Sequence, residues 1–245
     1  MSVNQKTMSD KFLLIQVRED QKVKDHEYRC LLELGGFTVN ELDRHDLITG
    51  PIDLVRLDDL SGVIIGGSGE YSGQDDYPNR ESLCQLVGRA EQIGLSVLGI
   101  CFGAQAVAEA LGGRSIEDRE HSEVGTFRLH RLPMAVEDPL FSKFPEEFLA
   151  SEGHHSRIVD LPAGAVMLAE SDRCPVQAFR SASSSIYGVQ FHPELNRVGM
   201  LWRLDHYQGS YGGPEDEVES IVSTSRDTPD ANRLISIWRE QSVEG

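Results

Sequence analysis

The sequence predicts an α/β protein: a central, mostly parallel β-sheet flanked on both faces by helices, with antiparallel strands added late in the chain. Three observations carry that expectation. Short apolar runs alternate with stretches of helical periodicity through the first 111 residues. Glycine pairs close the helical stretches at Gly35-Gly36 and Gly112-Gly113. Beyond residue 124 the helical periodicity gives way to short apolar runs between Pro, Ser and Asp.

Taken in order, Phe12 to Val17 is an apolar run suited to a buried strand, and Asp25 to Leu34 has helical spacing up to the glycine pair. Phe37 to Leu42 reads as a second strand. Ser61 to Ile65 is a third, ending in the turn-forming Gly66-Gly67-Ser68-Gly69. A helix over Arg80 to Ile93, a strand over Leu95 to Ile100 and a helix over Phe102 to Leu111 follow. Val124 to Leu132 and Ala165 to Phe179 are read as the antiparallel additions, and Ile186 to Phe191 as a late strand. Asp230 to Gln241 is a terminal helix with Asp227 or Thr228 near its cap. The Gly-rich, acidic stretch Gly209 to Glu217 is expected to be a mobile loop. No repeat and no linker divides the chain, so residues 1–245 are expected to form one domain.

The chain has 23 Lys and Arg against 40 Asp and Glu, a formal net charge of −17, and 39% hydrophobic residues. That is a globular composition. Its acidity argues against nonspecific nucleic-acid binding, which needs basic side chains on phosphates, and against docking on anionic lipid. It favours solubility and a basic partner. The polar stretch Met1 to Lys11 lacks the apolar centre of a signal peptide. No window has the roughly 18 apolar residues of a spanning helix. The four cysteines, Cys30, Cys84, Cys101 and Cys174, form no CxxC pair and are expected to be reduced, as in a cytoplasmic protein.

Gly99-Ile-Cys101-Phe-Gly103 has the strand, sharp turn and helix context of a nucleophile elbow, with Cys in place of the usual Ser. The flanking glycines relieve crowding in the turn. The helix N-terminus behind Cys101 favours a thiolate and aims backbone N–H groups at an oxyanion. A base comes with His192-Pro193-Glu194: residues i and i+2 of an extended segment face the same side, so Glu194 can hold one imidazole nitrogen and leave the other toward sulfur.

On Gly99-Ile-Cys-Phe-Gly-Ala-Gln105, Tyr187-Gly-Val-Gln-Phe-His-Pro-Glu194 and the Gly66-Gly67 turn, in that family's order and spacing, the chain resembles the class I glutamine amidotransferases. The resemblance spans about residues 12–205, with 206–245 as an acidic loop and C-terminal helix. It implies a flavodoxin-like fold and a triad of Cys101, His192 and Glu194 hydrolysing the side-chain amide of glutamine through a γ-glutamyl thioester. It further implies an oxyanion hole at the N–H groups of Gly67 and Phe102. Substrate contacts are implied at Gly66, at the Gln105 side chain, and at the backbone of His155 and Ser156. No cofactor is implied. The resemblance also implies an ammonia acceptor on a separate synthetase or acceptor subunit.

Two departures are visible. Ser68 follows Gly66-Gly67 where many relatives have Pro, which predicts a looser turn; His154-His155-Ser156 stands where His-Gly-Asp is frequent, which predicts altered substrate contacts. The paired histidines alternate across a strand and have no third ligand at a matching spacing, so no metal is expected. Residues 66–73 fail the GxGxxG spacing because Ser72 stands where the last glycine belongs. Two other functions stay open: hydrolysis of a γ-glutamyl peptide or γ-glutamyl amine by the same triad, and a non-catalytic regulatory homologue.

Overall fold

The computed structural model describes residues 10–182, 186–207 and 215–244. The elements run β1 (Phe12–Gln16), α1 (Gln21–Gly35), β2 (Leu42–Asp46), β3 (Gly62–Ile65), α2 (Arg80–Ile93), β4 (Ser96–Ile100) and α3 (Phe102–Ala110). There follow β5 (Arg114–Glu117), β6 (Glu123–Arg131), β7 (Glu147–His154), β8 (Ser156–Asp160), β9 (Val166–Glu170), β10 (Ala178–Arg180) and β11 (Ile186–Val189). Three helices close the order: α4 (Arg197–His206), α5 (Glu215–Thr224) and α6 (Pro229–Glu244).

Nine strands form one sheet in the order β2-β1-β3-β4-β11-β10-β9-β6-β7. Its first five strands pair in parallel and β10, β9, β6 and β7 extend it antiparallel, while β5 and β8 make a separate antiparallel pair. Strand β1 shows why helices cover both faces. Phe12 and Leu14 join the core under α1 and α6, with Leu31, Leu234 and Trp238. Leu13 and Ile15 join the other core, under α2 and α3, with Leu83, Val87 and Val107. A strand buried on both faces has no polar side to show, hence the apolar run from Phe12 to Ile15.

Most predicted boundaries agree with the structure to within a few residues, and the differences have local causes. Helix α1 starts at Gln21 rather than Asp25 because the Asp20 carboxylate accepts the Lys22 N–H at 2.6 Å and caps the helix. The strand expected over Phe37 to Leu42 is instead a turn followed by β2. The Thr38 carbonyl accepts both Glu41 N–H and Leu42 N–H, and Phe37 is drawn onto Phe12, ring centroids 5.0 Å apart. The acidic stretch expected as a loop over 209–217 falls partly outside the described residues, and from Glu215 it is the start of α5. Among the described residues no helix is long and apolar enough to cross a membrane.

The elbow depends on backbones in near contact. A Cβ on Gly99 would lie 2.5 Å from the Gly103 carbonyl oxygen, and one on Gly103 would lie 2.1 Å from that of Ile65. Gly88, in the middle of α2, has nothing within 4 Å of such an atom. Gly103→Ala is therefore expected to cost about 3 kcal/mol of unfolding free energy through overpacking against main chain, and Gly88→Ala to add about 0.5–1 kcal/mol. Denaturant titration of the two variants checks both signs.

Candidate active site

The parallel strands end on one edge of the sheet, where open α/β sheets bind their ligands. There β3 runs into Gly66-Gly67, β4 into Cys101 and β11 into Gln190 to His192. Cys101 adopts φ 52° and ψ −104°, one of two positive-φ residues other than glycine among those described, and is anchored by its N–H to the Val189 carbonyl at 2.8 Å. Such a backbone is held by its surroundings at a cost of about 1–3 kcal/mol, which its neighbours must supply.

His192 is fixed from outside its own strand. Its N–H donates to the Ser151 carbonyl at 2.8 Å, so β7, the far edge strand, returns to the site. The His192 Nδ1 lies 2.8 Å from Glu194 Oε1, and the Cys101 sulfur acts electrostatically on the same ring. Cys101, His192 and Glu194 are all at most 4% exposed. Burial alone would lower the imidazolium pKa of His192. The Glu194 carboxylate and the Cys101 sulfur overcome that and hold it well above its ordinary value. Burial would likewise raise Glu194, but the positive ring of His192, helped by the Arg203 guanidinium, holds the carboxyl far below its usual range.

Gly67 lies beside the cysteine and the imidazole. A Cβ there would sit 3.2 Å from His192 Cε1 and 3.8 Å from Cys101 Cβ, so its backbone borders both side chains. Phe102 is the first residue of α3, whose leading N–H groups have no intrahelical acceptor. Gly66 lies over buried Glu27, which accepts from Arg18 Nε and Gln16 Nε2, each at 2.9 Å. Ser68 does not loosen the turn as expected. Its hydroxyl accepts the N–H groups of Glu70 and Tyr71 at 3.2 and 3.1 Å, knitting the loop that a proline would stiffen.

A cavity of about 530 Å³ lies against Cys101, walled by Phe102, Gln105, residues 153–156 and parts of the 68–75 loop. Gln105 reaches this wall, but both its amide hydrogens are engaged, with the Ser156 carbonyl at 3.0 Å and Gln190 Oε1 at 3.2 Å. His155 and Ser156 also line the cavity. Their carbonyls are bonded to Asp118 N–H and to Gln105, and the Ser156 hydroxyl lies 2.9 Å from that of Ser72.

Two features escape a reading of sequence spacing. Gln190 places its Nε2 3.6 Å from Cys101 Sγ; the one clue was its seat in the run leading to His192. His154 also has ligand-type neighbours that spacing did not reveal. The ligand atoms of Glu123, His154 and Cys174 lie within 4.8 Å of one another. They are knit by hydrogen bonds: Glu123 accepts from Ser171 Oγ at 2.7 Å and Gln177 Nε2 at 2.6 Å, and lies 3.1 Å from His154 Nε2. Beside them Glu152 is fully buried, and burial, Glu123 and Cys101 raise its pKa well above the ordinary value.

A cysteine at positive φ on a strand-to-helix turn, beside an imidazole that a buried carboxylate holds, defines an α/β protein of the cysteine-elbow type. The chain belongs to the glutamine amidotransferase class-I family, which it matches over residues 20–197. One subunit of the glutamine-hydrolyzing GMP synthase of Archaeoglobus fulgidus is 30% identical over 168 residues, covering 69% of this chain and 81% of that protein. The longer glutamine-hydrolyzing GMP synthase of Shewanella oneidensis is 34% identical over 158 residues, 60% of this chain and 28% of that one. The crystal structure of a glutamine amidotransferase from Thermotoga maritima superposes with a TM-score of 0.75 over 97% of this chain and 99% of its own, and at 19% identity it shows a shared fold.

Cys30 and Cys174 are inert by the same physics: burial pushes the Cys30 thiol up to about 12 and moves Cys174 further in the same direction. Iodoacetamide at neutral pH is expected to label Cys101 well before either, as read by peptide mapping. Glu194→Gln leaves burial to lower the His192 imidazolium, so the Cys101 thiolate loses its cationic partner and its labelling should slow, more at pH 6 than at pH 8.

Proposed function

We propose that the protein hydrolyses the side-chain amide of glutamine, with Cys101 as nucleophile, His192 as acid and base, and Glu194 as the group that orients it. The observation that carries this reading is the His192 Nδ1 contact with Glu194 Oε1 at 2.8 Å, made by a ring that borders Gly67 together with Cys101. Cys101 Sγ adds to the amide carbon, and the N–H groups of Gly67 and Phe102 receive the oxyanion, at about 3 to 4 kcal/mol per donor in comparable hydrolases. His192 passes its proton to the nitrogen as the C–N bond breaks, ammonia leaves and a γ-glutamyl thioester remains. Water then attacks the thioester while His192 takes its proton, and glutamate departs with the thiolate restored. Glu194 keeps the ring in one tautomer and balances its charge throughout.

Gly66, together with the cavity-lining Gln105, His155 and Ser156, is assigned to the amino acid part of the substrate. The chain is read as a single amidotransferase domain working in the cytoplasm. The likeness to one subunit of a glutamine-hydrolyzing synthase supports delivery of ammonia to a separate synthetase subunit. A second reading rests on the cavity: at about 530 Å³ it is larger than glutamine requires, which fits a γ-glutamyl peptide or amine cut by the same triad.

Ammonia release from glutamine and from a panel of γ-glutamyl amines and peptides tests both readings. Glutamine turnover is expected, abolished in Cys101→Ala and reduced roughly ten-thousand-fold in Glu194→Gln, as when the matching carboxylate is neutralised in serine triads. Preference for a larger leaving amine selects the second reading. Absence of any Cys101-dependent release across the panel would falsify both.

A further inference from the structure

The run from Gly73 to the nucleophile is a chain of amides whose direction the backbone dictates. The Gly73 N–H donates to Gln105 Oε1 at 3.0 Å, and the Ser156 carbonyl accepts from Gln105 Nε2 at 3.0 Å. A main-chain N–H can only donate and a main-chain carbonyl can only accept, so the Gln105 carboxamide has one permitted orientation. Its second hydrogen meets Gln190 Oε1 at 3.2 Å, which turns the Gln190 Nε2 toward Cys101 Sγ, 3.6 Å away. Flipping either amide would set like against like. The register supports the contact independently: Val189 pairs with Ile100, so Gln190 and Cys101 are the next residues on adjacent strands. Gln190 is 1% exposed and Gln105 2%, so water does not compete for these bonds.

We propose that Gln190 is a further catalytic residue, an uncharged support of the Cys101 thiolate, held on the sulfur through Gln105 by the backbone of Gly73. An N–H aimed at sulfur favours the charged form over the thiol, because a hydrogen bond to an ionised acceptor is stronger than one to a neutral one. The glycine at position 73 is part of the device. A Cβ there would lie 2.5 Å from Gln105 Cβ, so only glycine lets the pocket loop approach α3 closely enough to hold the first amide. The inference rests on Cys101 being the nucleophile proposed above, and its test reads sulfur ionisation without requiring turnover.

The experiment follows the pH dependence of Cys101 carboxamidomethylation by iodoacetamide in the whole protein. Gln190→Met keeps the volume and removes the N–H, and is expected to raise the pH of half-maximal rate by about one unit, about tenfold slower labelling below the midpoint. Gln105→Met frees Gln190 from its anchor and should move the midpoint the same way by less. Gln177→Met removes another buried glutamine, bonded to Glu123 rather than to sulfur, and serves as the control for damage to packing. A midpoint in Gln190→Met unchanged from the parent, with far-ultraviolet circular dichroism also unchanged, overturns the proposal. So does an equal shift in Gln177→Met. A shifted midpoint in a protein that releases no ammonia from glutamine keeps this inference and removes the substrate assignment. Turnover with no shift does the reverse.

Discussion

The site is organised around the backbone of one residue. At φ 52° and ψ −104° Cys101 occupies a conformation that its side chain disfavours. It stays there because main chain closes in from three sides: Val189 receives its N–H, Gly103 lies under Gly99, and Ile65 lies against Gly103. The two glycine approaches are short enough that a methyl group would block them. The strain has a chemical use, since the same turn lifts the sulfur off the sheet edge and starts a helix directly beneath it. A relaxed cysteine in a longer loop would keep the thiol and lose the amides that converge on it.

Charge is placed with similar economy. Glu194 and His192 are both buried, and neither ion would be tolerated alone in such surroundings. Each makes the other's charged state the favourable one. Arg203, also buried, adds positive charge near Glu194 and donates to His26 Nδ1 at 3.0 Å, which helps burial push that histidine down to about 4. The Arg18 and Glu27 pair under Gly66 is 2.9 Å apart and fully enclosed. The floor of the site is thus a layer of paired ions, while burial, Glu123 and Cys101 push the Glu152 carboxyl nearby toward its acid form.

Much of this was legible in the residues, for identifiable reasons. The parallel half of the sheet announces itself because strands buried on both faces must be apolar throughout, and the ends of α2 match the expected ones because a period of 3.6 and Gly94 at φ 70° bracket it. The elbow and the His192-Pro-Glu194 run are local patterns whose chemistry needs adjacent residues. What escaped depends on contacts between distant segments. β2 was displaced by a turn that the Thr38 carbonyl and Glu41 carboxylate close, and the Phe37 side chain went to the core instead. The proline missing at Ser68 reads as a weakness in the sequence, whereas in the fold the serine hydroxyl ties two N–H groups. The cluster joining Glu123, His154 and Cys174 crosses 51 residues of sequence between its first and last members, a separation at which no local pattern exists.

Because β4 and β11 are neighbouring strands in fixed register, the segments that carry Cys101 and His192 leave the sheet side by side, and the Ser151 carbonyl then holds the His192 N–H. Most of the cavity wall, by contrast, comes from the 68–75 and 153–156 segments. Chemistry and recognition are therefore written on different parts of the molecule. A lineage can revise which amide it accepts by altering those walls while the reacting pair stays in alignment, so descendants of this scaffold are free to diverge in diet long before they lose the capacity to cut.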